Sequence, residues 1–166
     1  RSLLPDGLAV DRPLALAIAR RESELLPSAV SPAGALGLMQ LMPGTAKLMA
    51  QKLGLPHRPG SLTSDPAYNA TLGSAYLAHL AEEFGPSIAL RAAGYNAGPG
   101  RPRAWVTEFG DPRQASVDVV DWVEMVPFTE TRTYIMRVVE GVAIYRARQA
   151  PDKSVSVTAL LRGTGG

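Results

Sequence analysis

The chain has 166 residues, which fits one domain large enough to bury its own core. Hydrophobic residues make up 46% and charged residues 19%, and no apolar run approaches the length of a membrane span, so the composition excludes a disordered chain and a membrane-spanning one. Seventeen basic and fifteen acidic residues give a net charge of +2, and their dispersal argues against a nucleic-acid binder. Cysteine is absent, which excludes a disulfide scaffold and a thiolate nucleophile.

The first part of the chain is predicted to be helical, because apolar residues recur at helical spacing and no strict alternation lasts more than a few residues. Asp11 is a plausible cap for a first helix, which Pro27 ends. A loop rich in glycine and proline follows over residues 28–44, and a short helix begins after Thr45 and stops at Gly54.

A long helix is predicted between Asp65 and Gly85, since an Asp-Pro pair is a strong start signal. One face carries a large apolar side chain at every fourth position, which marks a buried stripe: Leu72, Tyr76, Leu80 and Phe84. A shorter helix from Pro86 runs into a segment that its glycines break, and a further helix that carries Trp105 stops at Gly110.

The C-terminal part is predicted to contain a short amphipathic element over residues 116–126 and a long final helix, which Thr129 caps. From Ala150 onward the sequence predicts a loose tail. The predicted organisation is a lead-in, a main domain and a flexible tail over residues 1–11, 12–149 and 150–166.

Glu22 is an acidic residue on the apolar stripe of the first predicted helix. It shares a face with Leu14, Ile18 and Leu25. Glu24 lies about 200° around the helix and is predicted to be solvated. Burial raises the pKa of a carboxyl group, which suits a general acid that works near neutral pH. The alternative is that Glu22 forms a buried salt bridge with an arginine or caps a neighbouring loop, and periodicity alone favours this structural role.

Three segments carry a resemblance to a known family. Residues 20–46, RRESELLPSAVSPAGALGLMQLMPGTA, resemble the signature of the soluble lytic murein transglycosylases, which are relatives of goose-type lysozyme. Residues 93–105, AGYNAGPGRPRAW, and 126–134, VPFTETRTY, resemble two later motifs of that family. Two departures stand out: Leu25 and Leu26 replace an aromatic residue followed by Asn or Asp, and Gly94 replaces the usual alanine.

The resemblance covers roughly residues 12–149 and implies an all-α, lysozyme-like domain of the goose type with a glycan-binding groove. It implies cleavage of the β-1,4 bond between N-acetylmuramic acid and N-acetylglucosamine in peptidoglycan, with Glu22 as general acid. Most glycosidases use two carboxylates. The resemblance implies that one suffices here, because the deprotonated Glu22 would then take the proton of the sugar's own C6 hydroxyl as a 1,6-anhydro ring closes.

Further substrate-binding residues are implied by the match to the family's motifs: Ser31, Gly37, Met39, Gln40, Tyr95, Asn96, Glu130 and Tyr134. Four of them have a structural alternative. Met39 and Tyr95 are also explained as core side chains, and Asn96 as a turn residue. Glu130 is explained equally well as a carboxylate that complements the dipole at the start of its helix.

No cofactor and no metal site is predicted, because His57 and His79 lack the spacing of a zinc site and have no cysteine or paired carboxylates at ligand spacing. We expect the chain in the periplasm or at the cell surface, with peptidoglycan strands as partner and an upstream helical domain or cell-wall synthesis proteins as further partners. A hydrolytic lysozyme of the same fold is the nearest rival, and an inactive glycan-binding module is another. The end of the product chain, anhydro or reducing, distinguishes transglycosylase from hydrolase.

Overall fold

The structure is a computed structural model that describes residues 11–164, so residues 1–10 of the lead-in predicted over residues 1–11 lie outside the described part. Helices dominate this range, and they run in the following order: α1 Arg12–Ser23, α2 Pro43–Leu53, α3 Ser61–Ser64, α4 Pro66–Phe84, α5 Ile88–Ala97, α6 Gly100–Phe109, α7 Val119–Met125, α8 Thr129–Gln149 and α9 Val157–Arg162. Two isolated antiparallel bridges join Leu36 to Val30 and to Leu41. The predicted all-α class is confirmed.

The chain divides into two compact units, Arg1–His79 and Leu80–Gly166. The length of the chain favours a single domain, whereas the contacts place a boundary within α4. No helix in the described range 11–164 has the length and hydropathy to cross a membrane.

Helix α1 begins as the sequence predicts and ends earlier. The Oδ1 atom of Asp11 accepts a hydrogen bond from the Leu14 N–H at 3.2 Å, which confirms the predicted cap. The helix ends at Ser23, four residues before Pro27, because Glu24 and Leu25 both adopt left-handed backbone conformations with φ of 53° and 66°. Leu25 therefore leaves the apolar stripe, and its side chain is 45% exposed.

Within the second unit, α5 packs against α6, α8 and α9. The first seven residues of α5, residues 88–94, are all buried. Two boundaries differ from the prediction. Asp118 caps α7 and accepts hydrogen bonds from two backbone N–H groups, so this helix starts at Val119. Phe128 is the N-cap of α8, and Thr129 is its first helical residue.

The segment predicted as a loose tail contains α9, which contributes to the core of the second unit. Leu160 and Leu161 are buried, and the Ser87 hydroxyl donates to the Leu161 carbonyl at 2.8 Å. Arg162 donates to the carbonyl groups of Pro112 and Gln114. A helix of six residues is too short to show a periodic pattern, which is why the sequence did not reveal it.

Candidate active site

Glu22 is the penultimate residue of α1, and its side chain is half-buried. Leu14 and Ile18, which precede it on the same face, are fully buried. The hydroxyl of the next residue, Ser23, lies 2.6 Å from the Leu38 carbonyl oxygen and 3.1 Å from that of Ala19. The backbone at Glu22 is therefore fixed on one side by the core and on the other by the loop that follows.

The loop between α1 and α2 is folded on itself by backbone hydrogen bonds. Leu36 and Leu41 exchange hydrogen bonds of 2.9 and 3.0 Å. Ser31, a predicted site residue, accepts a hydrogen bond from the Ala35 N–H at 3.0 Å through its hydroxyl oxygen. Its side chain therefore shapes a turn and is also half-buried, so part of it remains accessible.

Gln40, a second predicted site residue, closes this loop. It adopts a left-handed backbone conformation with φ of 51°. Its Nε2 atom donates to the carbonyl oxygens of Ala29 at 3.0 Å and Gly37 at 2.9 Å. The sequence predicts that this side chain binds substrate, whereas in the structure its amide nitrogen donates hydrogen bonds within the loop. Its Oε1 atom accepts no hydrogen bond from the described residues 11–164.

Met39, another predicted site residue, has a buried side chain. It is 1% exposed. It packs against Gly73 of α4, where an added Cβ atom would lie 2.4 Å from the methionine sulfur. The structure thus agrees with the alternative role of Met39 in filling the core, because the absence of a side chain at residue 73 leaves the space that it occupies.

Asn69 of α4 is an important residue of this region that the sequence analysis missed. It is fully buried, its Oδ1 accepts from the Met39 N–H, and its Nδ2 donates to the carbonyl oxygens of Leu36 and Leu62. A signal was available: Asn69 lies three positions before Leu72, so it is a polar residue on a buried helical face.

Gly37, also a predicted site residue, lies against the same asparagine. Its φ is 76°, and an added Cβ atom would lie 2.0 Å from the Leu62 carbonyl oxygen and 2.3 Å from Nδ2 of Asn69. Two features therefore require glycine at this position: its left-handed backbone conformation and the close approach of another backbone segment.

In the second unit, Tyr95 and Asn96 lie in the last turn of α5 and are half-buried. The Oδ1 atom of Asn96 accepts a hydrogen bond of 2.7 Å from the Thr131 hydroxyl, which joins the end of α5 to the first turn of α8. Asn96 is thus a helix-joining residue rather than merely a turn residue. Glu130, in that same turn, is exposed, and Tyr134 one turn later is only 3% exposed. The Tyr134 side chain accordingly packs in the core.

Two further features bear on where chemistry can take place. A cavity of about 340 Å³ lies between the C-terminal end of α8 and the start of α9, and none of the predicted site residues lines it. Among residues 11–164, no three His, Cys, Asp or Glu side chains are grouped so as to hold a metal ion.

Comparison with known proteins decides the family. Residues 6–117 match the family model of the transglycosylase SLT domain. The chain belongs to this family. A relative, the soluble lytic murein transglycosylase of Escherichia coli strain K12, is 41% identical over 142 residues, which are 84% of this chain and 21% of the relative. The chain spans about a fifth of the length of such relatives.

Solved structures show that this SLT domain has the expected lysozyme-like fold. The 70 kDa soluble lytic transglycosylase from Escherichia coli is 38% identical with a TM-score of 0.80, and the match covers 93% of this chain and 24% of that one. An inactive glutamate-to-glutamine mutant of the lytic transglycosylase Slt from Pseudomonas aeruginosa is 36% identical with a TM-score of 0.75, over 86% of this chain and 22% of that one.

One departure of this SLT domain from the family motif has a packing explanation. At Gly94, a Cβ atom would lie 3.2 Å from Cδ2 of Leu80 and 3.3 Å from Cε2 of Phe84. These distances are tighter than ordinary contacts, so glycine gives the two large side chains room.

Proposed function

We propose that this chain is the catalytic domain of a peptidoglycan lytic transglycosylase, with Glu22 as its single general acid and base. The observation that carries the proposal is the position of Glu22 within the segment that matches the SLT family, at the fixed end of a helix with one buried face. Rigid placement of a proton-transferring group is what general acid catalysis requires.

The other carboxylates of residues 11–79 have different environments. Asp11 and Asp65 accept hydrogen bonds from the backbone N–H groups of Leu14 and Tyr68, so they cap helices. Glu24 is exposed in a left-handed turn. Glu22 is therefore the best supported acid in this unit, and a one-carboxylate mechanism fits it.

In the proposed reaction, Glu22 first gives its proton to the oxygen of the β-1,4 bond while the bond from that oxygen to C1 of N-acetylmuramic acid breaks. The resulting carboxylate then removes the proton of the C6 hydroxyl, and O6 bonds to C1. Glu22 regains its proton, and no water is consumed. We propose three acceptors for the N–H and O–H groups of the sugars: Oε1 of Gln40, the Ser31 hydroxyl and the exposed carboxylate of Glu130.

The proposed set of substrate-binding residues also includes Tyr95, Asn96, Gly37, Met39 and Tyr134. Gly37, Met39 and Tyr134 are buried, which supports a role in positioning their neighbours in the site. We also propose that the protein acts on the cell wall outside the cytoplasm, because its polymer is located there, and that it forms part of a longer chain with a helical segment upstream.

The test uses purified peptidoglycan and mass analysis of the released fragments. The wild-type chain should release fragments with 1,6-anhydro ends, which are one water lighter than hydrolytic products and resist borohydride reduction. Glu22→Gln should release none, and Glu24→Gln, the matched control, should retain activity. Release of only reducible ends would make the protein a lysozyme, and binding without cleavage would make it a glycan-binding module.

A further inference from the structure

Two consecutive leucines in the turn after Glu22 contribute little to the folded core. Leu25 is 45% exposed and Leu26 is 55% exposed. Leu25 also has a φ of 66°, in the left-handed region that a bulky side chain disfavours. A residue that is both strained and exposed stabilises the fold little, and such strain is concentrated at functional sites. The combination therefore points to a role for Leu25 other than packing.

Hydrogen bonds connect this leucine pair to Gln40 through a single residue. The Leu26 carbonyl accepts from the Ala29 N–H at 3.3 Å, and the Ala29 carbonyl accepts from Nε2 of Gln40 at 3.0 Å. While Nε2 is held in this way, Oε1 of Gln40 accepts no hydrogen bond within the part of the chain that the structure describes. An exposed apolar surface and an amide oxygen that can accept a donor therefore belong to one hydrogen-bonded loop.

We propose that Leu25 and Leu26 form the apolar half of a subsite for the N-acetyl group of a glycan sugar, with Oε1 of Gln40 as its polar half. The proposal rests on the proposed function and assigns specificity-determining residues to that reaction. An N-acetyl group carries an N–H donor and a methyl group that are joined through one carbonyl carbon, so it matches an acceptor close to an apolar surface. Contact with the methyl group covers leucine side chains that are otherwise partly exposed, and this burial favours binding.

The subsite should distinguish N-acetyl from N-glycolyl sugars. A glycolyl group adds a hydroxyl to the methyl carbon and leaves the N–H and the carbonyl unchanged. An apolar surface disfavours this hydroxyl, which loses its hydrogen bonds to water there. We would measure kcat/KM for two peptidoglycan preparations that differ only in the acyl group. The ratio of the acetyl value to the glycolyl value should exceed one for wild type, and Leu25→Asn and Leu26→Asn should each lower it by about three- to tenfold.

Both asparagine variants should fold, so their activities can be compared with that of wild type. Asparagine tolerates the left-handed conformation of residue 25 better than leucine does. At residue 26 it is one of the residues that the family motif has. Leu25→Met and Leu26→Met keep an apolar side chain and should retain most of the wild-type ratio. Leu16→Asn is the matched control, because Leu16 is 41% exposed on α1 and lies about 120° around the helix from Glu22.

The control Leu16→Asn should leave the ratio within twofold of wild type. Equal losses of kcat/KM on both preparations in the two asparagine variants, or an equal drop of the ratio in Leu16→Asn, would overturn the proposal. If wild type cleaves neither preparation, the proposed function fails by itself. The dissociation constants of wild type and Leu26→Asn for acetylated and glycolylated fragments then decide the role of the pair. A preference for acetyl that Leu26→Asn weakens supports the subsite, and an absent or unchanged preference overturns it.

Discussion

The side chain of Asn69 and the backbone of Met39 are joined by a buried hydrogen bond of 2.8 Å between Oδ1 and the main-chain nitrogen. The same side chain donates to the carbonyl oxygens of Leu36 and Leu62. One residue of α4 therefore bonds to three backbone groups, one in α3 and two in the loop that follows α1. Buried backbone groups are costly when they lack partners.

Replacement of this asparagine should destabilise the fold strongly. Asn69→Ala removes three hydrogen bonds to the backbone and leaves the Met39 N–H and the Leu62 carbonyl without this partner, and we expect a loss of about 3–5 kcal/mol in the free energy of unfolding. Urea denaturation measures this loss. Ser64→Ala is the control, because the Ser64 hydroxyl makes an exposed hydrogen bond to the Gly60 carbonyl. A loss below 1 kcal/mol in Asn69→Ala would contradict the role assigned to this residue.

Gln40→Ala should lower both activity and stability. The substitution removes both hydrogen bonds from Nε2 to the Ala29 and Gly37 carbonyls, which we expect to cost about 1–2 kcal/mol, because they are only partly buried. Chemical denaturation and a turbidity assay on cell wall check the two effects. Gln51→Ala, on the exposed face of α2, should change neither. Full stability of Gln40→Ala together with lost turnover would restore a purely substrate-binding role.

Glycine at residue 37 should be far less replaceable than glycine at residue 34. Both positions have positive φ, so alanine is strained at each by roughly 1 kcal/mol. At Gly34 an added Cβ atom meets nothing within 4 Å, whereas at Gly37 it meets the Leu62 carbonyl. Thermal denaturation should therefore show a lower Tm for Gly37→Ala than for Gly34→Ala. Equal Tm values would mean that backbone conformation alone requires these glycines.

The start of α1 could be predicted from sequence and its end could not. Asp11 caps the helix through a local hydrogen bond to the backbone of Leu14, which is only three positions away. The end at Ser23 depends on the left-handed turn at Glu24 and Leu25, which neither residue favours by itself. The hydrogen bond from Ser23 to Leu38, fifteen residues later, is the kind of contact that fixes such a turn, and periodicity does not report it.

The candidate site, like α1, could be predicted from the sequence only in part. Family motifs identified the loop and the helix ends on which the site residues lie, because each motif is contiguous in sequence. Burial of Met39 depends on Gly73, and the conformation of Gly37 depends on Leu62, so the positions of these two residues follow from contacts between distant segments. A residue's presence in a motif therefore did not reveal whether its side chain faces a substrate or the core.

Asp111 should make stability depend on pH. The Arg113 guanidinium hydrogen-bonds both of its carboxylate oxygens and lowers the pKa of Asp111. A depressed pKa in the folded state gives stability that is present above the unfolded value of about 3.9 and is lost as pH falls through the folded pKa. Asp111→Asn should thus cost less than about 1 kcal/mol at pH 7.

The cost of Asp111→Asn should shrink toward zero as both proteins are measured at decreasing pH by urea denaturation. Asn still accepts the hydrogen bond from the Arg113 backbone N–H, so the comparison isolates the charge. Asp152→Asn, at an exposed position, should show no such dependence. A cost that persists unchanged at pH 3 would mean that the charge of Asp111 is irrelevant to stability.

Leu161 gives the sharpest test of whether α9 belongs to the folded core. Its side chain is fully buried, and its carbonyl accepts the Ser87 hydrogen bond next to the start of α5. Truncation of a buried leucine removes hydrophobic burial and leaves a cavity, so Leu161→Ala should cost about 2–4 kcal/mol. Val157→Ala, in the same helix but 37% exposed, should cost less than about 1 kcal/mol. Equilibrium denaturation of both variants distinguishes the two accounts, since a dispensable tail predicts the same small loss at both positions.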